Sequence, residues 1–335
     1  MKAVLDCGTT NTKCYIINDE GTLLAEGYSR FGVKDNALKQ DREDFKKDLK
    51  LIVANTVLKA GLSMSNIKVV IAFGMISSDL GLIVLPHAEA PVGIADQQKN
   101  VQILDTSLFG SEITFCLIRG IKNPLKKEKD LQNVFTCDFM RGEETQVAGV
   151  IEKYKPKEDF NVIMFSSHLK IIHVSSDMKI QRSMTTMSGQ IFDCIVNNTV
   201  VGKSVMVHDA EKQTMSNEQL IQLAEETVEH SGLMRAFLLP RFMESFTEMT
   251  SLDRLIYLDA ILALEDLKAI KEYYGKGRFA SHKYYFIGQK TRCEMFAGIL
   301  KKKCSDTPIE IEIIDGKEKN REISILGALK LTENC

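Results

Sequence analysis

The sequence predicts an α/β protein with two domains and a ligand cleft between them. Its 335 residues exceed the size at which one hydrophobic core usually stops growing. Apolar runs of strand length alternate with longer segments of helical periodicity. A strand–turn–strand pattern in residues 4 to 18 returns in residues 161 to 175, which indicates two similar halves. We therefore place the domains at residues 1–155 and 156–335.

Composition excludes several classes of protein. The 43 basic and 45 acidic residues give a net charge of -2, so no general attraction to nucleic acid or anionic lipid is expected. The eight cysteines form no C-x-x-C pair and no zinc-site spacing, which is typical of reduced thiols. The N-terminus does not resemble an export signal, and no apolar stretch is long enough to span a membrane. We expect a cytoplasmic protein.

The first half begins with strands. Apolar runs at residues 2 to 7, 13 to 18 and 22 to 28 are joined by tight turns, which predicts a three-stranded meander. Residues 41 to 60 have helical periodicity and end before Gly61. Their predicted buried face consists of Phe45, Leu49, Ile52, Val53, Val57 and Leu58. A buried strand is predicted at 67 to 73, and further strands near 101 to 105 and 113 to 118.

The second half becomes largely helical after its repeated strand–turn–strand unit. Helical periodicity occurs near residues 188 to 198, 216 to 230, 233 to 247 and 252 to 274. A strand at 284 to 288, a helix at 291 to 303, a strand at 309 to 314 and a helix at 321 to 332 complete the chain.

The turn between the first two strands has the composition of a phosphate-binding loop. Gly8 allows close approach of an anion, while Thr9, Thr10 and Asn11 add side-chain donors. Asp6, at the end of the first strand, would hold Mg²⁺ through water, since magnesium needs few protein ligands when phosphate is present. An ordinary hairpin is the alternative, because turns favour the same residue types.

Three strand ends carry residues suited to nucleotide contact. Asp6, Ser166 and Gly288 each lie at the carboxyl end of a predicted strand, where open sheets bind ligands. Gly288 also opens into a helix, which is a usual nucleotide-contact geometry and equally a usual α/β corner. The recurrence of such residues at three strand ends favours a nucleotide cleft.

Residues 140 to 146, MRGEETQ, resemble a signature of the 2-dehydro-3-deoxygalactonokinases, which are sugar-acid kinases of the actin, hexokinase and Hsp70 superfamily. Further segments resemble this family in the same order along the chain. They are Asp6 to Asn11, Gly74 with Met75, Ser77 and Gly81, His168 with Lys170, Thr186 to Gly189, and Gly288. The resemblance implies two actin/hexokinase-like (ribonuclease H-like) domains that flank a nucleotide cleft.

The resemblance also implies ATP and Mg²⁺ as cofactors. Asp6 would orient the hydrated metal, and Thr9, Thr10, Asn11 and Ser167 would bind phosphate oxygens. The remaining members of the nucleotide site would be Gly8, Ser166 and Gly288, with Lys13 or Lys170 offsetting charge.

Arg141 is suited to the carboxylate of a sugar acid, because its planar guanidinium makes two parallel hydrogen bonds. Adjacent helical residues diverge, so of Glu143 and Glu144 one would bind substrate hydroxyls while the other caps the helix or pairs elsewhere. One of the two would accept the hydroxyl proton, and we favour Glu144. His168 and Lys170 are further candidate substrate contacts. Without the resemblance, RGEETQ is typical of a helix that starts with acids in its first turn and has a surface arginine.

The leading hypothesis is an ATP-dependent kinase that phosphorylates the terminal hydroxyl of 2-dehydro-3-deoxy-D-galactonate. Ser166 and Ala263 stand where the family has glycine, and a Cβ there would crowd the nucleotide. A sensor without catalysis is therefore an alternative. Because a fold does not fix its substrate, a kinase acting on another small sugar or sugar acid is a second alternative, and an actin-like filament is a remote one. The expected partners are sugar acid and ATP, with a homodimer as an option.

Overall fold

The computed structural model describes residues 1–32, 42–104, 108–125, 131, 134–208, 211–274, 282–303 and 308–335. They form two compact units. The first unit contains Met1–Asp159, His173–Ser183 and Lys317–Cys335, and the second contains Phe160–Ile172 and Met184–Gly316. Two later segments of the chain thus group with the N-terminal residues.

The strands alternate with helices along the chain. The strands are β1 (Lys2–Cys7), β2 (Thr12–Ile17), β3 (Leu23–Ser29), β4 (Val69–Gly74), β5 (Ala88–Glu89), β6 (Gln102–Leu104), β7 (Thr114–Leu117), β8 (Ile121–Lys122), β9 (Phe139–Met140), β10 (Phe160–Phe165), β11 (Leu169–Val174), β12 (Ile180–Thr186), β13 (Lys283–Gly288) and β14 (Glu310–Asp315). The α-helices are α1 (Arg42–Lys59), α2 (Ile94–Lys99), α3 (Glu143–Tyr154), α4 (Ser188–Asn198), α5 (Asn217–Ser231), α6 (Leu233–Phe246), α7 (Ser251–Tyr274), α8 (Lys290–Lys303) and α9 (Gly316–Leu331).

The two larger sheets share one strand order over five strands, and the first has an additional edge strand, β6. The first has the order β3-β2-β1-β4-β7-β6, and the second has the order β12-β11-β10-β13-β14. In the first, β1 pairs antiparallel with β2 and parallel with β4, which is parallel to β7. In the second, β10 is parallel to β13 and β13 is parallel to β14. The meander and the similarity of the two halves are confirmed. A small sheet, β5-β8-β9, completes the set in the described residues.

The strongly periodic segments form the predicted elements with small shifts at their ends. The C-terminal helix is the largest shift, since α9 begins at Gly316 and we expected residue 321. On α1, the prediction for Leu58 is wrong: its side chain is 69 % exposed. Thr56 occupies the buried face instead, and its hydroxyl donates to the carbonyl of Ile52 at 2.6 Å. Because this hydrogen bond pairs the hydroxyl within the helix, threonine can be buried here. Hydropathy alone therefore assigns the wrong residue to the buried face.

Helices α3 and α9 of the first unit cross in close contact. A Cβ built on Gly149 would lie 2.0 Å from the carbonyl oxygen of Ile323, and one on Gly327 would lie 1.8 Å from that of Thr145. Both positions therefore need glycine. Since α3 begins beside the end of β4, this crossing fixes where the helix places its N-terminus.

The described cysteines are free thiols: Cys7, Cys14, Cys116, Cys137, Cys194, Cys293 and Cys335. Cys304 lies outside the described residues. Among the described helices, none combines the length and the apolar character that crossing a membrane requires.

Candidate functional site

The loop between β1 and β2 is a short hairpin turn that presents hydroxyl groups. Cys7 pairs with Thr12 at its base, and the N–H of Gly8 donates to the carbonyl of Asn11 at 2.8 Å. Thr9 and Thr10 are exposed at its tip. The loop therefore offers hydroxyl donors to a ligand, while its own backbone is held closed.

Asp6 pairs with Lys13 across the base of this loop. A carboxylate oxygen of Asp6 lies 3.4 Å from Nζ of Lys13, and the two side chains are 22 % and 46 % exposed. One partly exposed carboxylate fits Mg²⁺ only if phosphate and water complete the shell. The described residues contain no group of three or more acidic, histidine or cysteine side chains arranged to hold a metal.

Two glycines bring the start of α3 against the ends of β1 and β4. Gly74 has φ +84, and a Cβ built there would lie 2.5 Å from the carbonyl oxygen of Cys7. Gly142 has φ +111, and a Cβ there would lie 3.3 Å from Cα of Gly74. Close approach of three backbone segments thus places residues 141 to 144 beside the strand that ends in the phosphate loop.

The Arg141 side chain is anchored at both terminal nitrogens. Nη1 donates to Oγ of Ser77 at 2.8 Å, and Nη2 donates to the carbonyl of Leu85 at 2.7 Å. Its stem packs on Gly120, where a Cβ would lie 2.6 Å from Cγ of Arg141 and 2.9 Å from the ring of His87. Partial burial lowers the pKa of Arg141, but a guanidinium remains charged in proteins.

Glu143 and Glu144 both turn back onto the backbone that precedes α3. The N–H of Arg141 donates to Glu143 at 3.0 Å, and the N–H of Gly142 donates to both carboxylate oxygens of Glu144 at 2.8 Å. Glu143 is partly exposed, whereas Glu144 is 0 % exposed. Burial, and then the neighbouring Glu143, raise the pKa of Glu144 to about 8. Glu144 holds the helix start rather than facing solvent.

The corresponding turn of the second unit joins β10 to β11. Ser166 and Ser167 are exposed at its tip. The backbone N–H and the hydroxyl of Ser166 each donate to the carbonyl of His168 at 3.1 Å. A Cβ on Gly189 would lie 2.1 Å from the carbonyl oxygen of Ser166, so the start of α4 packs against this turn. Lys170 is buried in β11 with 5 % exposure.

Gly288 ends β13 beside the same turn. A Cβ there would lie 2.7 Å from Cβ of Phe165, the last residue of β10. Ala263 is 7 % exposed and belongs to the hydrophobic core of the second unit. Each unit therefore gathers its own predicted residues at one sheet edge: Asp6, Gly8, Thr9, Thr10, Asn11, Lys13, Arg141, Glu143 and Glu144 in the first, and Ser166, Ser167, His168 and Gly288 in the second.

A partly buried polar cluster beside the start of α4 was not predicted. Thr186 donates to Asp266 at 2.5 Å, Nη2 of Arg292 donates to the hydroxyl of Ser188 at 3.4 Å, and Nε of Arg292 lies 3.3 Å from Asp259. Burial raises the pKa of Asp266 to about 6. Its members come from three separate parts of the chain, residues 186–188, 259–266 and 292, so no spacing rule would find them together. Ser77 belongs to a segment that resembles the kinase family, but the sequence assigns it no role.

Comparisons with known proteins complete the description of the site. Residues 6–312 match a family model described as 2-keto-3-deoxy-galactonokinase. The chain is similar to the structure of a proposed 2-dehydro-3-deoxygalactonokinase from Sinorhizobium meliloti, with TM-score 0.71, 19 % identity and coverage of 98 % of this chain and 96 % of that one. No curated protein matches it.

Two further solved structures share the fold. A carbohydrate kinase from Novosphingobium aromaticivorans has TM-score 0.52 and 9 % identity, covering 99 % of this chain and 93 % of its own. Component A of (R)-2-hydroxyglutaryl-CoA dehydratase from Acidaminococcus fermentans has TM-score 0.50 and 10 % identity, covering 99 % and 98 %. These similarities confirm the predicted α/β fold of the actin and hexokinase type.

Proposed function

Because the chain belongs to the 2-keto-3-deoxy-galactonokinase family and is therefore a phosphotransferase acting on a sugar hydroxyl, we propose that it transfers the terminal phosphate of ATP to 2-dehydro-3-deoxy-D-galactonate. The terminal hydroxyl of the acid is the proposed acceptor. The observation that carries this proposal is the anchored guanidinium of Arg141, which lies in the same unit as the hydroxyl-rich loop after β1.

Arg141 has the charge and the donors that a carboxylate needs. Its bonds to Ser77 and Leu85 use two of the five N–H groups of a guanidinium. Of the two acids whose charges act on it, Asp79 is exposed, and Glu144, with a pKa of about 8, is mostly uncharged at pH 7. The positive charge is therefore available to the carboxylate of a substrate, which a guanidinium binds through two parallel bonds.

The loop after β1 supplies the proposed phosphate contacts. Thr9, Thr10 and Asn11 would donate to phosphate oxygens, and the missing Cβ of Gly8 permits close approach. The carboxylate of Asp6 would hold hydrated Mg²⁺, which would supply charge stabilisation for the transferred phosphoryl group. Lys13 is 46 % exposed and suits contact with phosphate.

The second unit has its own residues suited to contact with phosphate. Ser166 and Ser167 are exposed donors, and Gly288 has no side chain to obstruct a ligand. His168 is partly exposed beside them and stays a candidate substrate or phosphate contact. Lys170, at 5 % exposure, would act on a ligand through its charge rather than by contact.

We assign the proton-accepting role to Glu143 instead of Glu144. A general base must come within hydrogen-bond reach of the hydroxyl it deprotonates. Glu143 is partly exposed and holds only the N–H of Arg141 among its described hydrogen bonds, whereas both oxygens of Glu144 are occupied inside the unit.

The test is ADP release measured with a panel of sugar acids and neutral sugars. We expect turnover with a 2-keto-3-deoxy acid, and a KM for that acid raised at least tenfold in Arg141→Met, because about 1.5–3 kcal/mol of charged hydrogen bonding is lost. Arg241→Met, at an exposed position of α6, is the control and should leave KM unchanged. No turnover of any 2-keto-3-deoxy acid by folded protein would refute the proposal.

Two other results would change the proposed function. Turnover of a different small acid would keep the kinase and change the substrate. Stabilisation by ATP and Mg²⁺ in a thermal-shift assay, with no phosphate transfer to any acid, would instead support a sensor, because a ligand that binds the folded state raises its apparent stability.

A further inference from the structure

Ser77 lies at the centre of the contacts that hold Arg141. Its side chain is 0 % exposed and follows β4 in a one-turn 3₁₀ helix, Met75–Ser77. Oγ accepts a hydrogen bond from Nη1 of Arg141 at 2.8 Å and donates to the carbonyl of Gly74 at 3.3 Å. A serine hydroxyl has one donor and two acceptor positions, so both bonds form at once.

Leu85, the second hydrogen-bond partner of the Arg141 side chain, is itself hydrogen bonded to Ser77. The backbone N–H of Leu85 donates to the carbonyl of Ser77 at 3.1 Å, and the carbonyl of Leu85 accepts from Nη2 of Arg141 at 2.7 Å. One residue thus holds the two terminal nitrogens, one directly and one through Leu85. The plane of the guanidinium is fixed by these two points, while the stem alone would leave it free to rotate.

The hydrogen bond that the Ser77 hydroxyl donates connects it to the strand ends beside the phosphate loop. Gly74 accepts from Ser77 and packs so closely on Cys7 that a Cβ would lie 2.5 Å from the carbonyl oxygen of Cys7. Cys7 is the last residue of β1, directly before the loop. Ser77 therefore connects the guanidinium to the strand ends that position the phosphate-binding residues.

From these contacts we infer that Ser77 is a positioning residue that orients the Arg141 guanidinium toward the carboxylate of the acid substrate. The inference rests on the proposed role of Arg141. Misplacement of a substrate by about 1 Å can cost on the order of a hundredfold in rate, so an arginine that binds the acid needs such support.

The experiment compares Ser77→Ala with Ser78→Ala. Ser78 is the adjacent residue, is 4 % exposed, and donates to the carbonyl of Met75 at 2.7 Å without touching Arg141. We expect Ser77→Ala to raise KM for the acid about tenfold or more and to change KM for ATP less than about twofold. Ser78→Ala should change neither. Melting temperatures of both variants show that the protein is folded.

A double-mutant cycle separates positioning from a structural role. In the Arg141→Met background, Ser77→Ala should change KM for the acid less than about twofold, because the guanidinium that it orients is gone. Equal effects on both KM values, or the same effect with and without Arg141, would overturn the inference.

Failure of the wider proposal gives a different pattern. If Arg141→Met leaves KM for the acid unchanged, the carboxylate is bound elsewhere and the proposed role of Arg141 fails. If Arg141→Met raises KM and Ser77→Ala does not, only the inference about Ser77 fails.

Discussion

Replacing Glu144 by glutamine should remove a large pH dependence from the stability of this protein. Glu144 is fully buried, and its pKa rises from an ordinary value of 4.5 to about 8. Since one pKa unit corresponds to about 1.4 kcal/mol, the buried ionised form costs about 5 kcal/mol. Glutamine stays neutral and keeps an oxygen that accepts from the N–H of Gly142.

The sign follows from the protons bound in each state. Between pH 4.5 and about 8 the unfolded chain has released the proton of Glu144 and the folded protein has kept it. Stability therefore falls as pH rises through this window, by about 1.4 kcal/mol per pH unit, and levels off above the folded pKa. Below pH 4.5 both states are protonated and the penalty disappears.

The assay is urea denaturation of the wild type and Glu144→Gln from pH 4.5 to 8.5, followed by circular dichroism, because the chain contains no tryptophan. In the difference between the free energies of unfolding of the two proteins, the contributions of the other titrating groups cancel. It should grow in favour of Glu144→Gln across the window, whereas Glu158→Gln, an exposed carboxylate of the same unit, gives the baseline. A difference that stays constant with pH would refute the burial of this carboxyl.

Three further predictions concern the loops at the strand ends. Gly74→Ala should destabilise the protein by about 3 kcal/mol or more in urea denaturation, because the new Cβ clashes with Cys7 at a position of positive φ. The control Gly61→Ala, with φ +71 in open space, should cost about 1 kcal/mol, and equal losses would contradict the proposed packing. Ser166→Gly should lower KM for ATP if the serine Cβ crowds the nucleotide, and a raised KM would show that its hydroxyl binds instead. Asp6→Asn should reduce kcat by about a hundredfold and raise the Mg²⁺ concentration for half-maximal rate; an unchanged magnesium titration would remove Asp6 from the metal site.

Local pattern was sufficient to predict most of the fold. Strand and helix periods are properties of short segments, so the meander, the repeated strand–turn–strand unit and the long helices were placed correctly. The strands β5, β8 and β9 were missed because two residues carry no period, and the seven-residue strand β12 was missed as well. Leu58 was misplaced because a threonine took the buried position on α1.

The arrangement around Arg141 shows what sequence could not provide. Its guanidinium contacts Ser77 and Leu85, which lie 64 and 56 residues away, and only the folded chain brings them together. Adjacent helical positions suggested that Glu143 and Glu144 diverge. The structure adds that Glu144 is fully buried, with both carboxylate oxygens bonded to the N–H of Gly142, which no residue spacing reveals.

The packing of the C-terminal helix α9 on the first sheet has a consequence for synthesis of the chain. The apolar side chains of α9, among them Ile325 and Leu331, cover a face of the first sheet that includes Val4 and Ile71. The ribosome makes the strands of the sheet first and helix α9 last. The nascent N-terminal portion therefore exposes this apolar face of the sheet until translation has passed residue 331. Variants truncated before α9 should therefore accumulate as aggregates, and chaperones that bind nascent chains should bind this protein through most of its translation.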